Sequence, residues 1–105
     1  MKWIKTSIGE VGIVEAKGLG SKKAIKKIPK GARIMKPWEY LKLIDEENDK
    51  LTWDLSDVFW TQTNGVARAC YLISDHDFLA VGRYFDYYSG AVRGVLVVKK
   101  RRGRT

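Results

Sequence analysis

Arg33-Ile34-Met35-Lys36-Pro37-Trp38-Glu39-Tyr40-Leu41, residues 33–41, is the stretch on which the reading of this chain turns. Ala32 to Met35 has the β-branched and apolar character of an extended segment, and Pro37 suits the first position of a helix, where its missing N–H is not needed. The spacing predicts a helix over 37–47, with Trp38, Tyr40, Leu41 and Ile44 on an inner arc and Glu39, Lys42 and Asp45 on the outer side. An extended segment running into an amphipathic helix places an α element beside a sheet.

Toward the N-terminus, Trp3-Ile4-Lys5-Thr6 and Val11 to Glu15 read as two short strands joined by a turn over Ser7 to Glu10 that contains Gly9. Gly18-Leu19-Gly20-Ser21 then leads into Lys22-Lys23-Ala24-Ile25-Lys26-Lys27-Ile28. There Ser21 can cap a short basic helix whose Ala24, Ile25 and Ile28 share a face, with Pro29 and Gly31 as its stop. The glycines, hydroxyl and lysines here sit where a helix start could take a phosphate, but the GxxxxGK[ST] spacing is absent and a simple loop accounts for them.

Toward the C-terminus, the acidic stretch Asp45 to Asp57 reads as loop with Leu51, Trp53 and Leu55 turned inward. From Phe59 the period becomes two. Phe59 to Thr63 and Val66 to Ser74 flank Asn64-Gly65, the strongest two-residue hairpin signal. Ser74-Asp75-His76-Asp77 turns into a strand over Phe78 to Phe85, and Ala91 to Lys99 is the last, strongly β-branched strand. The expected class is α+β: an N-terminal hairpin, two helices, then an antiparallel sheet in a single domain over 1–98. A flexible basic tail over 99–105 follows.

The 105 residues are 45% hydrophobic and include four Trp, five Tyr and three Phe, which must supply much of the burial in so small a core. Pairing of two chains, a homodimer, would add burial that one chain lacks. No run resembles a membrane span or a secretory leader, so the expected location is cytoplasmic. Cys70 and His76 each stand alone, which excludes a disulfide framework and a zinc finger; no metal and no cofactor are expected. A tight Asp/His turn is the ordinary explanation of Asp75-His76-Asp77.

The net charge of +8 is uneven. Residues 1–36 hold ten Lys/Arg against two acids, 37–98 hold five against ten, and 99–104 hold five against none. Basicity therefore belongs to two segments, and a uniformly basic grip on phosphate is not what the sequence describes.

The quoted stretch resembles the RLPTxxEWxxL signature of C-type-lectin-like folds of the formylglycine-generating kind and of related small bacterial and phage domains. Phe59-Trp60-Thr61-Gln62-Thr63 is similar to their YWSST strand, Ala69-Cys70-Tyr71-Leu72 to the strand after it, and Val92-Arg93-Gly94-Val95 to their final strand. The resemblance covers 33–98 in order. It implies that the first and last strands pair, that the Trp anchors the helix on the sheet, that the Arg bonds carbonyls, and that Gly94 admits a close backbone. It also implies a prokaryotic, phage or viral source. Formylglycine-generating enzymes resemble copper oxidases with paired cysteines, and calcium lectins carry Glu-Pro-Asn and Trp-Asn-Asp strings. This chain has neither, so a non-enzymatic binding scaffold is what remains.

In such folds, as in retroelement variable proteins, the ligand surface lies on the late loops and strands. Those positions are Thr61, Gln62, Thr63, Asn64, Arg68, Arg83, Tyr84, Asp86, Tyr87, Tyr88 and Ser89, and the last cluster has the Tyr-rich composition of a paratope. The bland alternative is that half of these aromatics fill the core. The expected partner is a protein or other macromolecular ligand. The competing reading is a nucleic-acid-associated protein using Lys22, Lys23, Lys26, Lys27 and Lys30 with Lys99, Lys100, Arg101, Arg102 and Arg104. Its bland counterpart is a solvated face that keeps the protein in solution.

Overall fold

Successive side chains of a strand point to opposite faces, so the apolar run Val95-Leu96-Val97-Val98 demands cover on both. The computed structural model supplies it. It describes residues 2–54, 57–63, 66–72, 79–81 and 92–100, without side chains for 21, 63, 66–72 and 79–81. The elements are β1 (Ile4–Thr6), β2 (Gly9–Glu15), α1 (Ser21–Ile25), β3 (Ala32–Ile34), α2 (Pro37–Glu47), a 3-10 turn (Asn48–Lys50), β4 (Val58–Thr63), β5 (Val66–Leu72), β6 (Leu79–Val81) and β7 (Val92–Lys99). The class is α+β.

The sheet runs β1-β2-β7-β4-β5-β6, with β3 also on β7. One edge of β7 is lined by β2, from Val11 opposite Val98 to Glu15 opposite Gly94. The other edge is divided: β4 pairs with its first half and β3 with its second, where Ala32 faces Lys99 and Ile34 faces Val97. At the join, Met35 N donates to Leu96 O at 2.8 Å and Met35 O accepts from Gln62 N at 3.0 Å. Every pairing is antiparallel except β4 with β7, which run parallel. The N-terminal hairpin reaches the last strand through β2; β1 pairs with β2 at the outer edge and not with β7.

Each helix covers one face. Under α2 lie Val11, Phe59, Leu96 and Val98 with Tyr40, Leu43 and Ile44; under α1 lie Val14, Trp60, Val95 and Val97 with Ala24. Tyr40, Trp53 and Phe59 form an aromatic triangle with centroids 6.1 to 6.5 Å apart, and Trp53 Nε1 donates to the Tyr40 hydroxyl at 3.2 Å. Gly94 lies where β2 and β7 touch most closely: a Cβ there would overlap the carbonyl oxygen of Val14. Only glycine fits that position.

The helices differ from expectation in which residues they bury. Trp38 is 60% exposed and Leu41 45%, while Tyr40, Leu43 and Ile44 face the sheet. Residues two apart on a helix are about 200° apart, so Trp38 and Tyr40 cannot share an inner face, and Tyr40 is the anchor. Glu39, expected outside, is buried. Ile25 is 41% exposed although Ala24 is fully buried, because α1 stops at Ile25 and only Ala24 and the half-buried Ile28 reach the core. In the acidic stretch, α2 and the 3-10 turn carry helical structure to Lys50; Leu51 and Trp53 then pack inward as expected, and Leu55 lies outside the described residues.

Candidate nucleic-acid interface

Residues 18–31 run beside β7 and are fixed to it at both ends. At the start, Ala16 N donates to Arg93 O at 3.0 Å and Gly18 N to Val92 O at 3.2 Å. At the finish, Gly31 takes φ +90° and its carbonyl accepts Lys100 N at 2.6 Å, continuing the β3–β7 ladder. A helix-forming turn between these anchors is held down by small and apolar groups: Ala24 is buried, Leu19 and Ile28 pack on the sheet, and Trp60 Nε1 donates to Leu19 O at 3.2 Å. Lys22, Lys23, Lys26, Lys27 and Lys30 are all exposed.

The spacing explains their common direction. Lys22 with Lys26 and Lys23 with Lys27 are i, i+4 pairs, and Ala24 with Ile28 is the i, i+4 pair that faces the core. Helical bonding persists past α1, since Lys27 N donates to Ala24 O at 3.0 Å and Ile28 N to Ile25 O at 3.1 Å. Among the described residues, none of these five lysines makes an ion pair. The Gly18–Ser21 loop is not a phosphate cradle, because Gly18 N and Leu19 N already bond Val92 O and Ala16 O.

Several charges elsewhere are tied into the fold, although Lys2, Lys5, Lys17, Lys36 and Lys42 are also exposed and make no ion pair among the described residues. Arg33 forks onto Glu39, Nη1 to Oε1 at 2.9 Å and Nη2 to Oε2 at 2.7 Å, and Lys36 N caps the same carboxylate at 2.9 Å. Burial pushes the Glu39 carboxyl up, but the Arg33 fork and the Lys36 N–H outweigh it, so its pKa lies below the ordinary value. Arg93 spans Glu15 and Asp57 at 3.2 and 3.0 Å, which holds its guanidinium protonated. Glu47 accepts from Lys50 Nζ at 2.8 Å and from the hydroxyl and N–H of Ser7 at 2.6 and 3.0 Å, and these donors hold its pKa down to about 2. That carboxylate clips the β1–β2 turn to α2.

The basic positions at the C-terminal end divide. Lys99 Nζ lies 3.6 Å from Glu10 Oε2 and 5.7 Å from the centre of the Trp3 ring, so it is drawn toward the β1–β2 hairpin and away from the lysine run. Lys100 is exposed and adjoins Gly31, next to Lys30. Arg101, Arg102 and Arg104 lie outside the described residues. What the sequence hid was the Gly31–Lys100 bond that joins the lysine run to the root of the tail; Pro29 and Gly31 signalled only the stop of the basic helix.

The Tyr-rich alternative fares differently. Thr61 is fully buried in β4 on the Phe59 side, so it cannot present itself to a ligand. Gln62 is half-buried beside the Met35 join. Thr63 and Arg68 are placed by backbone only, Arg68 opposite Thr61. Asn64, His76, Arg83, Tyr84, Asp86, Tyr87, Tyr88 and Ser89 lie outside the described residues. Among the described residues no group of three His, Cys, Asp or Glu could hold a metal ion, and no helix is long and apolar enough to cross a membrane.

Compared with family models, with curated proteins and with solved structures, the chain matches none.

Proposed function

We propose that this chain is a non-enzymatic recognition module with a C-type-lectin-like fold, and that it binds nucleic acid by its phosphates along the lysine face. Support for the fold half comes from the resembling strings falling on β3–α2, β4, β5 and β7 in order, with an N-terminal hairpin strand against the last strand. The observation that carries the functional half is the run of five exposed lysines without an ion pair among the described residues, pinned to β7 at both ends. Like charges at i, i+4 disfavour a helix by a few tenths of a kcal/mol each, so this crowding works against folding and suits an anionic ligand.

The chemistry of the cations favours backbone contact over base reading. Lysine is a point charge, whereas planar arginine reads guanine edges bidentately. Both arginines whose side chains are described, Arg33 and Arg93, are already committed to carboxylates. Binding by lysine to phosphate is independent of sequence and falls steeply with salt.

The test is a salt series with a labelled duplex, on the full chain and on a Lys22→Gln/Lys23→Gln/Lys26→Gln/Lys27→Gln variant. Six cations, the five lysines and Lys100, give a slope of log Kobs against log salt of about −5, and the variant should lose about 3.6 of that slope. Binding that survives the four substitutions unchanged contradicts the proposal and returns the search to a protein ligand at Gln62, Asn64, Arg68 and the 83–89 cluster.

A further inference from the structure

We infer that the nucleic acid this face takes is a duplex, not a single strand; the inference rests on the proposal above and names its ligand class. It follows from how the lysine run is laid out. The run's lead-in is bonded at Val92 and its end at Lys100, so its two anchors are separated by the length of β7, about 26 Å at the rise of an extended strand. Within that span Lys22 to Lys27, on helical bonding, occupy about 7.5 Å of rise, and Lys30 and Lys100 lie at the second anchor, so the cations meet a few successive phosphates of a duplex, whose strands each advance 3.4 Å per phosphate.

Rigidity points the same way. The segment is tied down at Gly18, Leu19, Ala24, Ile28 and Gly31, so the lysine stems spring from a fixed track along the strand. A stiff duplex already holds its phosphates in line, whereas a flexible strand would lose conformational freedom to lie along that track. Single strands recover such losses by stacking bases on aromatic rings. The aromatic ring beneath this track cannot serve: Trp60 is 1% exposed and its indole N–H is already bonded to Leu19 O. Trp3, near the Lys100 end of the track, packs against the same buried cluster as Ala24 and is partly buried with Lys99 over its ring. Among the described residues the track offers charge and no largely exposed ring, and charge favours the ligand with more of it per unit length. A duplex carries one negative charge per about 1.7 Å of axis.

The experiment compares a blunt duplex of about 16 base pairs with each of its own single strands, at matched salt, on the full chain. It is repeated with the four-lysine variant and with Trp38→Ala, since Trp38 is the described aromatic side chain left largely exposed. The expected result is at least tenfold tighter binding to the duplex, a preference lost in the lysine variant and unchanged by Trp38→Ala. Equal or tighter binding of the single strand, or a duplex preference that persists without the lysines, overturns the inference; in the first case the nucleic-acid reading stands. If neither form binds, both fall. Unchanged thermal unfolding of each variant separates loss of contact from loss of fold.

Discussion

α2 and α1 cover opposite faces of one sheet, and they differ in what becomes of their charges. α2 is eleven residues long, buries Tyr40, Leu43 and Ile44, and has two of its four carboxylates buried and tied to other elements: Glu39 to Arg33 of β3 and Glu47 to Ser7 of the β1–β2 turn, while Asp45 and Glu46 are exposed. α1 is five residues long, buries one alanine fully, and turns lysines to solvent with no carboxylate opposite them among the described residues. α2 ties the fold together through the two carboxylates it buries, whereas α1 buries no described charged side chain and turns its lysines outward. Under the proposed function, the α2 face serves structure and the α1 face serves binding.

The largest expected effect strikes what the two faces share. Gly94→Val should abolish folding, read as loss of the cooperative transition by circular dichroism, because the added carbon meets the Val14 carbonyl and β2 cannot move away without leaving β7. Phe59→Ala attacks the α2 face alone and should cost about 3 to 5 kcal/mol in denaturant unfolding, since it empties the aromatic triangle. A much smaller loss would mean that the packing on this face is not what holds the sheet.

Glu39→Gln should cost about 2 kcal/mol by the same measurement, reduced from the full value of a buried pair because Arg33 remains well exposed. Glu47 gives the contrast a pH signature. Its folded pKa, about 2, is below the ordinary carboxylate value of 4.5, so its contribution is complete above that value and declines as pH falls from about 4.5 toward 2. Glu39 contributes in the same direction. Glu47→Gln should therefore flatten the acid limb of a stability–pH curve, and an unaltered limb would show that the Ser7 clip is not formed.

How far the sequence revealed these faces depends on whether a signal was local. Period-two alternation located β4 and β5, a β-branched run located β7, and the close backbone approach at Gly94 was expected from the resemblance. The length of α2 was legible from Pro37 and its periodicity, but not its rotation. Trp38 was expected as the anchor by resemblance, yet Glu39 is buried in a fork with an arginine on a different element and Tyr40 faces the sheet, a pairing that no helix periodicity announces. The parallel β4–β7 pair was hidden for a similar reason: β3 takes over the edge of β7 that β4 leaves, a division made between segments about 25 residues or more apart. The lysine run itself was plain; its attachment to Lys100 was not, because a Gly31 carbonyl carries no sequence signal for the strand it will meet. Thr61 was read as ligand-facing by resemblance, and the register that buries it beside Phe59 is set by the sheet.

The smallest expected effect is also the decisive one. In the Lys22→Gln/Lys23→Gln/Lys26→Gln/Lys27→Gln variant, thermal unfolding and the salt slope for duplex binding should be measured on the same preparation. If the α1 face carries binding and not structure, stability stays within about 0.5 kcal/mol of the parent, shifted upward if at all, while about 3.6 is lost from the slope. A variant that unfolds earlier but binds with the parent's slope would contradict the division of labour between the two faces.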